Sequence, residues 1–201
     1  GIRYVERSRG LVDVYKRQVV GREIITASEV EERLRLEALF NGHPVDLSKQ
    51  KRRDALERLI DVRLVAGEIV AKNFPSVTSQ NVTEELAALE LRMKQRGTVL
   101  KQELKYHVLE RIDVEQFLAR QVNFERFVAF RFKTGIQVSP EAVQAHYNES
   151  FVTEIRRLQV KLPPLAEVYD EIVALVVDQR ADLMLEVWLK ETRARIRVVI
   201  K

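Results

Sequence analysis

Two short β-branched runs stand at opposite ends of an otherwise helical sequence, and they constrain the fold more than any other feature. Val19-Val20-Gly21-Arg22-Glu23-Ile24-Ile25-Thr26 sets Gly-Arg between two apolar runs, and Gly at the first turn position suits a type II′ hairpin. Ile196-Arg197-Val198-Val199-Ile200 is a strand candidate at the far end. A lone hairpin is marginal in water, so the two ends need each other. The expectation is a mostly α chain that closes on itself, with a small β-sheet pairing the N-terminal hairpin and the C-terminal strand.

Local signals set the helices between them. Thr26 with Glu29 is a capping box, in which the hydroxyl and the carboxylate satisfy helix-end N–H groups, and it predicts a helix to about Phe40, stopped by Asn41-Gly42-His43-Pro44. Ser48 caps a longer helix to about Asn73, ended by Phe74-Pro75. Thr78 or Ser79 opens the next, whose Val82, Leu86, Leu89 and Met93 form one narrow stripe before a left-handed stop at Gly97. A short helix follows over about Leu100–Leu109. Asp113 is read as the cap of a helix to about Phe132. Ser139-Pro140 opens another to about Glu149. Residues 150–164, with Lys161-Leu-Pro-Pro-Leu165 as a rigid part, are read as a short connector. One long helix then runs to about Arg195, carrying Val168, Ile172, Val176, Leu183, Val187 and Trp188.

Composition excludes several chemistries. With no cysteine, disulfides, thiol catalysis and cysteine-bound zinc or iron–sulfur clusters are ruled out. The chain is 46% hydrophobic and 32% charged, enough to bury a core and too evenly charged to predict a membrane span. Net charge is +4, yet residues 1–18 carry Arg3, Arg7, Arg9, Lys16 and Arg17 against Glu6 and Asp13, which accounts for +3 of it. The remainder is nearly neutral, so no nucleic-acid partner is expected. The basic run Lys49, Lys51, Arg52, Arg53 is interleaved with acids and reads as a solvated face. Within the leader, Leu11-Val-Asp-Val-Tyr-Lys-Arg-Gln18 resembles translated adapter read-through, and residues 1–18 are read as a non-native or disordered leader to a core at 19–201. Their dispersed charges interrupt any secretion-type apolar stretch.

No catalytic constellation is present. His43, His107 and His146 fall in a loop and two separate helices, without metal-ligand spacing, and are expected to be solvent-exposed. No nucleophile elbow, P-loop or dinucleotide-binding glycine motif occurs. The acid pairs Glu31-Glu32 and Glu84-Glu85 lie early in their helices, where they complement the helix dipole. No cofactor or metal is expected. The aromatic side chains carry the functional signal. On the helix after Asp113, Phe117, Leu118, Val122, Phe124, Val128 and Phe132 share a broad face, while Phe127 and Phe130 turn toward the opposite side. Such a helix is buried on two sides or presents one side to a partner. In the functional reading, Phe127 and Phe130, with Met93 and Tyr147, line an apolar cradle for extended, unfolded segments.

The order of these motifs resembles the core of SurA-like periplasmic chaperones, the N-terminal domain plus the C-terminal helix. The matching segments are Val20-Gly-Arg-Glu-Ile-Ile-Thr26 with Ser28-Glu-Val-Glu-Glu32, Leu59-Ile-Asp-Val-Arg-Leu64, Val138-Ser-Pro-Glu-Ala-Val143 with Tyr147, and Trp188-Leu189 with Arg193 and the terminal strand. The resemblance covers nearly all of the chain from Val19. It implies a SurA/trigger-factor-like peptide-binding fold. It also implies an ATP-independent chaperone that binds unfolded envelope and outer-membrane proteins in the periplasm. Relatives usually insert a parvulin-type prolyl isomerase domain where this chain has only residues 150–164, so no isomerase activity is expected. The alternatives are an isomerase family member that has lost its catalytic domain, and a structural adaptor with no client groove, in which Phe127 and Phe130 would both be buried.

Overall fold

A computed structural model of the chain describes residues 17–20, 23–157, 159, 161–195 and 198–200. The described chain is mostly helical. It divides into two compact units, Gly1–Glu125 with Glu191–Lys201, and Arg126–Lys190.

In the first unit, strands β1 (Arg17–Val20), β2 (Glu23–Thr26) and β3 (Val198–Ile200) lie in the order β2-β1-β3, with β1 antiparallel to both neighbours. Gln18 stands opposite Ile25 on one side and Ile200 on the other. β1 thus takes in Arg17 and Gln18, the last two residues of the stretch read as a leader. Gly21 and Arg22, Ile196 and Arg197, and the leader before Arg17 lie outside the described residues. Alternation along β2 buries Ile25 and exposes Ile24.

The capping box forms as its spacing predicts. Thr26 Oγ1 accepts the Glu29 N–H at 3.2 Å, and Glu29 Oε2 accepts the Thr26 N–H at 2.8 Å, opening α1 (Ala27–Asn41). Gly42 ends α1 at φ +69°, the left-handed conformation that favours glycine at a helix stop. Ser48 caps α2 (Lys49–Ala71), and Asn73 at φ +49° turns the chain away beyond it. Thr78, with Asn81 as its reciprocal partner, caps α3 (Ser79–Gln95). Next come α4 (Leu100–His107) and α5 (Arg111–Val128). Asp113 is not the cap of α5: it lies inside the first turn and reaches back to accept the Glu110 N–H at 2.7 Å. That carboxylate still satisfies a helix-end donor, and the cap position lies three residues before the expected one.

Leu36 and Leu39 from α1, Leu86, Leu89 and Met93 from α3, Leu100 from α4, and Val114, Phe117 and Leu118 from α5 pack into one core. Ion pairs join segments distant in sequence. Arg63 of α2 bonds Glu29 of α1, and Arg58 bonds Glu37 at 2.7 Å. Arg193 donates to Asp61 at 2.5 and 2.8 Å, to Glu57 Oε2 at 2.5 Å and to the Glu57 carbonyl at 3.0 Å.

In the second unit, α5 runs on into a π turn at Ala129–Lys133. Helix α6 (Pro140–His146), capped by Ser139 with Pro at its first position, passes through a π turn at Tyr147–Phe151 into α7 (Val152–Arg157). The expected connector at 150–164 is thus helical over its first half. Helix α8 (Leu165–Arg195) follows, and its first part packs Val168, Ile172 and Val176 against Val143, with Tyr147 and Phe151 at the edge. Polar tethers complete this unit: the Tyr147 hydroxyl donates to the Pro163 carbonyl at 2.8 Å, Lys133 pairs with Asp178 at 2.6 Å, and Arg180 donates to the Gln137 carbonyl at 2.7 Å.

Candidate functional site

The four residues expected to line one cradle have separate fates. Met93 is fully buried in the core of the first unit, and Phe127 is 2% exposed in the second. Neither offers surface to a client, which corrects that assignment. The reason is that a helical stripe reports which side chains are apolar, not which side a neighbour covers. Tyr147 is half-buried, its hydroxyl held by Pro163 and its ring stacked on Phe151 with centroids 5.7 Å apart. Of these four, Phe130 is the exposed one, at 64%.

The second half of α8 displays apolar side chains to solvent. Val168, Ile172 and Val176 are buried at spacings of four. Seven, eight and eleven residues beyond Val176, the same stripe continues as Leu183, Met184 and Val187. These are 61%, 49% and 58% exposed. Bordering the stripe in this half, Ala181 is buried, and Trp188 lies 6.1 Å from Phe132 with the Arg131 guanidinium over both rings. The helix is held along one border of the stripe and shows the rest. Singly exposed apolar residues are ordinary, whereas three neighbours on one helical face form a patch of the kind that marks contact sites.

A second surface lies on the first unit. Glu90 and Lys94 of α3, Val99, Leu100, Lys101 and Leu104 at α4, and Arg111 of α5 line an open groove of about 600 Å³. Leu100 and Leu104 are the outer edge of the core, and Val99 is 51% exposed. Val99 gives α4 no side-chain cap, and Val108 ends α4 at φ +55°, a conformation that strains a β-branched residue.

The titratable groups build structure. His107 is buried, contrary to the expectation of an exposed imidazole, because the face of α4 that carries it packs inward. Burial lowers its pKa, while Glu103 Oε2 at 3.4 Å pulls the other way. Glu32 is raised above the usual carboxylate range by burial and by Asp113. Among the described residues, no group of histidines and carboxylates could hold a metal ion, and no described helix is long and apolar enough to cross a membrane.

No family model matches the chain, and no curated protein matches it.

Proposed function

We propose that the chain holds unfolded polypeptide segments without nucleotide, in the manner of the SurA-like chaperones whose core its motifs resemble. The observation that carries this reading is the uncovered Leu183–Met184–Val187 stripe of α8, with Phe130 a further exposed ring in the same unit. Apolar client side chains gain by leaving water on such a surface, at roughly 25 cal/mol per Å² buried. The contact is non-directional, so it accepts many sequences. Holding acts through mass action: the bound fraction is withdrawn from aggregation, and no turnover is required. On the strength of that resemblance, the reading takes envelope proteins as its clients and the periplasm as its site of action.

The test is light scattering of a chemically unfolded outer-membrane protein diluted into buffer with the full chain and no nucleotide. Suppression proportional to the amount of chain is the expected result. The triple variant L183S/M184S/V187S should lose most of it while keeping the wild-type melting temperature. Full suppression by the variant would remove the stripe from the mechanism. Acceleration of proline-peptide isomerisation by the chain would replace holding with catalysis.

A further inference from the structure

The groove of the first unit differs in chemistry from the α8 stripe. Its floor is apolar, formed by Val99, Leu100 and Leu104, and its rim is charged. On that rim Arg111 is engaged by Glu115 at 2.8 Å and Glu90 at 3.6 Å, so these charges are compensated where they stand. Lys94 and Lys101 are exposed, and neither makes an ion pair among the described residues. Among the described residues no carboxylate pairs with either of these two cations, and Glu90, the acid of the groove, is turned to Arg111. A purely apolar ligand would leave that field unused, and a basic one would be repelled by it.

We propose that this groove binds an extended peptide segment in which an apolar side chain is flanked by Asp or Glu. The apolar side chain rests on Leu100, Leu104 and Val99, and the flanking carboxylates meet the Lys94 and Lys101 ammonium groups. The first contact supplies affinity by removing apolar surface from water. The second selects the sequence and speeds encounter more than it tightens the complex, because exposed ion pairs are individually weak and screened by salt. A volume of about 600 Å³ accommodates one large side chain with its neighbours and not a folded element. This assignment does not depend on holding by α8: the first surface takes apolar segments of any charge, and the groove chooses among them.

The test is fluorescence anisotropy of two labelled twelve-residue peptides with the full chain, one carrying Leu flanked by Glu and the other Leu flanked by Lys. The expected result is binding of the acidic peptide at least tenfold tighter than of the basic one, weakening as salt rises. The variant K94E/K101E, changed only at exposed positions, should lose about tenfold for the acidic peptide and reverse the preference. V99D, at the exposed lip of the floor, should weaken both peptides. Equal affinity for the two peptides, or wild-type affinity in K94E/K101E, would overturn the proposal. Loss of peptide binding in L183S/M184S/V187S with an intact groove would move the site to α8 and overturn it too. Binding of dodecanoate but of neither peptide would make the groove a site for lipid anions, against the assignment. The scattering assay reads the α8 stripe separately, so a chain that binds the acidic peptide yet suppresses no aggregation refutes holding and leaves the groove standing.

Discussion

The two halves of α8 carry one apolar stripe and use it differently. Val168, Ile172 and Val176 are covered by α6 and the π turn after it, whereas Leu183, Met184 and Val187 face solvent. Apolar side chains of one helix therefore serve as core in one place and as surface in another. The covered half stabilises the second unit, and the exposed half leaves about half or more of each side chain in water. A surface of that kind is kept at some cost in solubility, which is why it is the place to look for a partner.

The difference is sharpest in a matched pair of truncations. Ile172→Ala removes a side chain with no exposed surface and should lower stability by about 2–5 kcal/mol, read from urea unfolding. Leu183→Ala should change it by less than about 0.5 kcal/mol. A large loss at Leu183 would mean that the exposed half is core after all.

A smaller effect is expected at the end of the helix. Arg193→Ala breaks the bonds to Asp61 and Glu57 in the first unit and should cost about 1–3 kcal/mol, reduced from a fully buried pair because all three side chains keep some contact with water. Hydrogen exchange should then speed in the last turn of α8 and leave Ile172 protected. Exchange rising evenly along α8 would show that its halves are not independently held.

Smaller again is Tyr147→Phe, which keeps the ring on Phe151 and deletes the bond to the Pro163 carbonyl. A loss of about 0.5–1.5 kcal/mol, seen as a lower melting temperature, is expected for the cover over the buried half. Unchanged stability would mean that apolar contact alone holds it.

The last comparison uses acid and a residue outside α8. Burial depresses the His107 pKa in the folded chain, so the unfolded chain binds the proton more readily. Its contribution is fully present above the unfolded value near 6.5 and is lost as pH falls through that value toward the depressed one. Between pH 8 and pH 5 the wild type should lose more melting temperature than His107→Gln. Parallel losses would exclude His107 as a source of acid sensitivity. The Leu183 stripe contains no titrating group, so peptide capture there should persist over the range in which the fold survives.

Much of the helical framework was legible because its signals are local. Thr26 with Glu29, Ser48, Thr78, and Ser139 with Pro140 act within three residues of their helix starts, and the chain needs no distant partner to satisfy them. The segments that carried the resemblance also meet in space: Glu29 bonds Arg63, and Asp61 bonds Arg193. Their spacing thus encodes ion pairs that close the first unit, a structural task rather than a chemical one. The candidate site was far less legible. Phe127 and Phe130 are three residues apart with the same ring, yet one is buried and the other open, because the wheel orders residues by angle and carries no information about the neighbours that cover them. The π turns at Ala129–Lys133 and Tyr147–Phe151 insert a wider turn that 3.6-residue counting does not anticipate.

By itself the sequence determined where most helices start and stop, which faces are apolar, and that cysteine chemistry is absent, since these depend on neighbours along the chain or on composition. Only the tertiary structure decided that Met93 and Phe127 are core, that His107 is buried, that Leu183, Met184 and Val187 remain uncovered, and that Lys94 and Lys101 flank an apolar groove. Burial and charge compensation are properties of pairs brought together from distant segments, and no local pattern fixes which pairs those are.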